Sequence, residues 1–321
     1  LVTKQRTLIE GAFRAGVLKI ICSTPTLAMG VDLPAFRVII KSLKRYTGSW
    51  GMDWIPVLEY HQMSGRAGRP KFHDDFGESV AVAKSANEKE EIVERYVHGL
   101  PESIQSKLAA EPVLRMYVLS LIATGFARSR TRLLHFFSQT FWSHQFKDKE
   151  KLHALIDKIL GLLDQWGFLQ PARDGFVRAD KLDKEQPLAA TLLGKRVAEL
   201  YIDPFTAHLL IKGLKRAAKL DVKPFPFLQL LCHTFEMRPL LRVRAKEQEM
   251  VQSALLEHYS DLLEMEPNIY DPSYDEFLDS IKTTLFLCDW SEENTEEQLL
   301  DKYAVRPGEI HAKLEIADWL F

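Results

Sequence analysis

Apolar positions in residues 5–15 recur at helical spacing and give out near Gly16, which predicts an amphipathic helix. Short apolar runs follow at residues 18–22, 37–40 and 79–83, each bounded by polar or turn residues, and each reads as a strand. Short buried strands alternating with helices predict a parallel α/β sheet. Such a sheet normally has more strands, and here the chain opens on a helix. We therefore expect the tail of an α/β domain whose beginning is absent.

After Ala83 the strand pattern nearly vanishes. Residues 88–96 read as a helix with Asn87 as its N-cap, and Gly99-Leu100-Pro101 as a boundary. Further helices are predicted at 113–124, stopped by Gly125, then at 130–140 and 151–166. Residues 167–178 hold two short strands around Asp174-Gly175, a hairpin pattern. Three helices and a small hairpin is the order of a winged helix; a generic helical domain with a surface hairpin has it too. From Leu193 onward the pattern is helical, with loops expected at 203–204, 224–226, 267–272 and 306–308. The last residues, Trp319-Leu320-Phe321, sit inside an unfinished helical pattern, so truncation at both ends is expected.

Length and composition narrow the class. A chain of 321 residues suggests two or three domains, and 46% hydrophobic residues exclude a wholly disordered chain. The best candidate for a span, 117–126, is too short to cross a bilayer, and the opening Leu-Val-Thr-Lys-Gln-Arg has no secretory pattern. Cys22, Cys232 and Cys288 are too far apart for a disulfide framework or a zinc site, so a reducing intracellular compartment is expected and no metal site is predicted. Lys and Arg total 42 against 44 Asp and Glu, yet the charges are unevenly spread. Basic stretches run through Arg128, Arg130 and Arg132, through Lys212, Lys215, Arg216 and Lys219, and through Arg238, Arg242, Arg244 and Lys246; beyond Glu257 the chain turns acidic. Opposed blocks cancel in the sum while leaving one face positive enough for phosphates. Solvated helix faces account for the charges equally well.

The strongest chemical pattern is Gln62-Met63-Ser64-Gly65-Arg66-Ala67-Gly68-Arg69-Pro70. Its two glycines are expected to let the backbone turn tightly and let a phosphate approach. Two arginines three positions apart project from one side of a helical turn, and a guanidinium stays charged beside a transferring phosphoryl group. Upstream, directly after the run at 18–22, lies Ser23-Thr24-Pro25-Thr26-Leu27-Ala28-Met29-Gly30-Val31-Asp32-Leu33-Pro34-Ala35. Hydroxyls on a strand-end loop suit a nucleic-acid phosphate, and Asp32 after Gly30 suits a nucleotide hydroxyl or an arginine.

Together these segments resemble motifs five and six of superfamily-two helicases, and Gln62 to Pro70 is similar to the superkiller-type branch of DExH helicases. Three further segments resemble archaeal HelQ-like DNA helicases. Leu119-Ser120-Leu121-Ile122-Ala123-Thr124-Gly125 with Arg128-Ser129-Arg130 resembles their winged-helix region, and Leu200-Tyr201-Ile202-Asp203-Pro204 the entry to their helical ratchet. Lys302-Tyr303-Ala304-Val305-Arg306-Pro307-Gly308-Glu309-Ile310 resembles the turn before the ratchet helix.

The resemblance implies an α/β plus mostly α architecture. Residues 1–98 would be a partial second RecA-like motor domain, 99–188 a winged helix, and 189–321 a helical ratchet bundle truncated at its C-terminus. It implies that Arg66 and Arg69 meet ATP phosphates, with Arg69 as the finger and Gln62 supporting the site. Gly30 and Asp32 match the nucleotide side of motif five, and Thr24 and Thr26 its nucleic-acid side. Residues 38–57 match a strand-separating hairpin whose tip offers Tyr46 and Trp50 for stacking on the last base pair. Arg128 and Arg130 fall in a nucleic-acid-binding region, and Trp319 matches a ratchet aromatic. Where the family usually has an arginine two turns before that aromatic, this chain has His311, Ala312 and Lys313, which leaves the phosphate-steering contact unaccounted for.

The chain contains neither Gly-x-x-x-x-Gly-Lys-Thr nor Asp-Glu-x-His. Most ligands for ATP and Mg2+ would therefore lie in a first motor domain, and the fragment alone is expected to be inactive. The implied function is a 3′-to-5′ ATP-dependent DNA helicase in repair or replication-fork processing. It would act on single-stranded and forked DNA as a monomer, cytoplasmic and nucleoid-associated in an archaeon or nuclear in a eukaryote. Replication or repair proteins are the partners to expect, and no membrane. An RNA helicase of the same branch shares the motor motifs, and a non-catalytic winged-helix scaffold shares the downstream pattern.

Overall fold

The computed structural model describes residues 3–25, 33, 35–46, 51–68, 75–108, 110–170, 187–220 and 223–321. It divides into two compact units, Leu1–Ile104 and Gln105–Phe321.

In the first unit α1 (Thr3–Arg14) ends as predicted at Gly16, whose φ of +72° reverses the chain. The strand expected at 18–22 does not form. A strand exists only as part of a ladder, and among the described residues nothing pairs with this run, which leaves Ile20 80% exposed. The other strands hold. β1 (Arg37–Ile40), β2 (Lys44–Tyr46) and β3 (Met52–Trp54) precede α2 (Val57–Ser64), β4 (Glu78–Ala81) and α3 (Ala86–Ile92). β1 and β4 pair in parallel, with Arg37 opposite Glu78 and Ile40 opposite Ala81, and β2 and β3 form an antiparallel hairpin. The hairpin therefore occupies the middle of the 38–57 segment, while its first residues belong to the parallel sheet. Ser85, not Asn87, caps α3, its hydroxyl accepting from the Glu88 amide at 3.2 Å. α3 then widens into a π turn, Val93–Val97, which drives Tyr96 into a core with Ile40, Leu43, Ile55, Val57 and Ile92. The Tyr96 hydroxyl donates to the Ile55 carbonyl at 2.7 Å, anchoring the root of the hairpin.

The second unit opens with α4 (Glu111–Ala123), α5 (Arg130–Ser138), α6 (Phe141–Phe146) and α7 (Lys149–Gln165). Gly125 ends the first of these at φ +73°, and Ser129 and Asp148 cap α5 and α7 through their side chains. The short α6 was not predicted; Trp142, 4% exposed, holds it in the core. β5 (Leu169–Gln170) pairs antiparallel with β6 (Ala189–Ala190). The predicted Asp174-Gly175 turn and its second strand lie outside the described residues.

Helices α8 (Leu192–Glu199), α9 (Pro204–Ala217), α10 (Pro224–Cys232), α11 (Gln248–His258), α12 (Tyr274–Ser291), α13 (Glu296–Tyr303) and α14 (Pro307–Leu320) complete the unit. Residues 224–226 open α10 rather than a loop, because a proline in the first helical turn lacks only an N–H that would be unpaired there anyway. One apolar core joins α4, α5, α7, β5 and α8 to Leu231 of α10 and Leu320 of α14. The architecture is thus a small parallel α/β sheet followed by a mostly helical body.

Candidate functional site

α2 carries the first residue of the strongest motif. Its N-cap, Pro56, offers no side-chain acceptor; instead Glu102 reaches back to accept from the amides of Val57 at 2.6 Å and Leu58 at 3.2 Å. Those amides hold the Glu102 carboxyl below the usual carboxylate range. Met63 packs on the core while Gln62 stays exposed in the last turn of the helix.

The chain then turns beside motif five. The Ala35 amide donates to the Arg66 carbonyl at 3.1 Å, and the Gly68 amide to the Ala35 carbonyl at 3.1 Å, a parallel bridge between Ala35 and Ala67. Only one of the two glycines needs to be glycine for its conformation. Gly68 has φ +62° and lies so close to Gly77 that a Cβ on either would overlap the other's backbone, whereas Gly65 ends α2 at an ordinary φ of −68°. Arg66 is half-buried in this turn. This turn suits a polyphosphate: a positive side chain and an exposed amide side chain at one helix end, fixed by a backbone bridge. Among the described residues no group of three or more His, Cys, Asp or Glu is placed to hold a metal ion.

Other predicted residues are scattered. Thr24 is exposed, with its carbonyl accepting from the Ser23 hydroxyl at 3.0 Å. Tyr46, 69% exposed, stands where β2 leaves for the hairpin tip, and Gly51 returns from it at φ +76°. Thr26, Gly30, Asp32, Trp50 and Arg69 lie outside the described residues. Sequence reasoning passed over Trp54 at the hairpin base, where the Lys44 ammonium sits 4.1 Å from the ring centroid and the Tyr96 ring 5.9 Å away. Alternation along a three-residue strand was the only signal for it.

In the second unit Arg128 is exposed and donates from Nε to the Gly125 carbonyl at 3.2 Å. Arg130 forks onto Asp157 of α7, Nη2 to Oδ2 at 2.7 Å, and this carboxylate pushes the guanidinium's pKa further up. Trp319 is 43% exposed although its neighbour Leu320 is buried in the core. Of the residues standing where the family has arginine, Lys313 turns inward and donates to the carbonyls of Met237 and Pro239, and burial pushes its ammonium pKa down. His311 stays exposed, 3.8 Å from Glu296. His208 stacks on Trp166, and His233 meets Glu264. Among the described residues no helix is long and apolar enough to cross a membrane.

Comparison with known proteins places these segments in a common order. Residues 1–71 match the family described as helicase conserved C-terminal domain, residues 77–170 a helix-turn-helix domain, and residues 225–321 archaeal helicase domain 4. Curated relatives include proteins named ATP-dependent DNA helicase Hel308. The one from Methanocella arvoryzae is 39% identical over 320 residues, spanning 99% of this chain and 41% of that protein. The one from Pyrobaculum calidifontis is 38% identical over 98% of this chain and 41% of its own length. That from Pyrococcus horikoshii is 36% identical over 99% and 42%. The chain thus spans about two fifths of the length of the curated relatives it matches. In sequence and in the order of its parts, it belongs with the superkiller-type superfamily-two helicases and corresponds to their C-terminal part.

Proposed function

We propose that the chain is the second-motor, winged-helix and ratchet portion of an ATP-dependent DNA helicase that moves 3′ to 5′ on single-stranded DNA. The observation that carries this reading is the bridge between Ala35 and Ala67, which sets the end of motif five against the turn bearing Arg66. A segment suited to nucleic-acid backbone and a segment suited to phosphoryl charge then share one rigid connection, as a motor that couples the two requires. In this reading residues 1–98 are the motor portion, 99–188 the winged helix and 189–321 the ratchet. Bound ATP supplies the phosphoryl group whose transfer drives movement. Arg66 and Arg69 neutralise charge on it, Gln62 orients the phosphate side, and Gly30 and Asp32 border the nucleotide. Magnesium ligands belong to the first motor domain. Thr24 and Thr26 hold the DNA backbone, Tyr46 and Trp50 cap the last base pair, and Arg128 and Arg130 flank the duplex. The DNA assignment follows the relatives described above, which are named DNA helicases.

Arg69→Ala tests it, in the longer protein that joins this chain to a first motor domain. DNA-stimulated ATP turnover is expected to fall about a thousandfold or more, because the finger acts on charge formed during transfer. DNA affinity should stay near wild type. Turnover within a few-fold of wild type would remove Arg69 from the ATP site.

A further inference from the structure

Between α10 and α11 the chain crosses the face of α12 in an irregular run, residues 238–244, that ends in an extended Arg244. Side chains hold this run by its backbone. The Leu241 amide donates to Thr283 Oγ1 at 3.1 Å and the Val243 amide to Asp279 Oδ1 at 2.7 Å. Lys282 Nζ donates to the Arg242 carbonyl at 2.9 Å and to Glu247 Oε2 at 2.7 Å, and that carboxylate also accepts from the Arg244 amide at 2.8 Å. Lys282 and Glu247 are 2% and 5% exposed, so a buried ion pair, which is costly to desolvate, is committed to fixing a surface segment.

What the segment displays is positive charge. Leu241 and Val243 pack against the two cores that share α12, while Arg242 and Arg244 alternate with them on the exposed side and Lys246 follows, exposed, in the next turn. Among the described residues none of these three cations enters an ion pair, whereas Arg238 at the head of the run is paired with Glu276 at 2.7 Å. Lys246 follows in the 3-10 turn Ala245–Glu247, whereas Arg242 and Arg244 occupy alternate positions of the run before it, which an extended backbone spaces about 6.6 Å apart. That spacing is comparable to the step between successive phosphates of an extended single strand.

We propose that Arg242, Arg244 and Lys246 form a track for the phosphate backbone of a single nucleic-acid strand. The inference rests on the helicase reading above but adds a contact that reading does not use. Exposed cations on a braced backbone grip phosphates without reading bases, as a moving contact must.

The test is binding of a fluorescein-labelled oligothymidine by the 321-residue chain across a salt series. Arg242→Ala with Arg244→Ala should weaken binding several-fold and flatten the slope of log affinity against log salt by about 1.4, two contacts at about 0.7 each. Lys replacements at both positions should restore most of the slope, and Arg238→Ala should leave it unchanged. A wild-type slope in the double Ala variant, or Lys variants as weak as the Ala ones, overturns the track alone. A wild-type chain that binds no single strand overturns the track and the helicase reading together.

Discussion

Arg115 is 8% exposed, yet its guanidinium is fully engaged. Nε and Nη2 fork onto Asp203 at 3.1 and 2.7 Å, Nη1 reaches Glu111 at 3.1 Å, and the plane lies over Phe205 and Trp166. Asp203 also accepts from the Phe205 amide at the start of α9, so one pair ties α4 to the opening of the helical body. Arg115→Met would leave Asp203 as an unpaired buried charge. We expect a loss of about 3–5 kcal/mol in denaturant unfolding; a loss under about 1 kcal/mol would mean the pair is not a clamp. Glu102 gives a pH-dependent case. Its carboxyl is lowered by the α2 amides, so its contribution is full above the ordinary carboxylate range and disappears as pH falls through the lowered value. Glu102→Ala should therefore melt below wild type at neutral pH, and the gap should close in strong acid. A gap that persists in acid would show that the charge is not what matters. Neither partnership was legible beforehand, because Arg115 and Asp203 are 88 residues apart and Glu102 lies 45 from Val57.

Elements were legible where the local pattern was long enough to speak for itself. α4, α5 and α7 fell close to their expected positions because apolar spacing, caps and Gly125 agree. The run at 18–22 was misread because apolar composition marks a strand only when a neighbour supplies its hydrogen bonds. Residues 224–226 were misread because three residues with two prolines resemble a loop until the apolar Leu228 to Cys232 continuation is given its helix. Within the candidate site the glycines were seen, but which of them bears a positive φ depended on Gly77, seven residues beyond the motif. At the end of α14, the choice between core and surface for Trp319 was open in the sequence. Its 43% exposure now sets a prediction. Truncating a core tryptophan costs about 3–5 kcal/mol, and Trp319→Ala should cost far less in a thermal melt. In the longer protein it should lower base pairs opened per ATP while leaving DNA-stimulated turnover largely intact, since stacking on a base contributes about 1–3 kcal/mol per ring. Early melting with loss of every activity together would return Trp319 to the core.

At the scale of the molecule, the proposed function gives the chain one side of an ATP site and a set of nucleic-acid contacts. The bridge at Ala35, the hairpin rooted on Tyr96 and the helical body closed by α14 are each built locally. In the proposed function, coupling among them needs ATP held against Arg66 and Arg69, and this sequence has no phosphate-binding loop to hold it. The 321-residue chain alone should accordingly release no phosphate from ATP, with or without DNA; DNA-stimulated release would show that the site is organised differently. The most direct measurement is strand separation by the native gene product that carries this chain behind a first motor domain, given a labelled duplex with a single-stranded 3′ tail. The account predicts ATP-dependent release of the labelled strand, abolished by Arg69→Ala with tail binding retained. A gene product that binds the tail but separates no strands with ATP, or separates them equally well with Arg69→Ala, would contradict it.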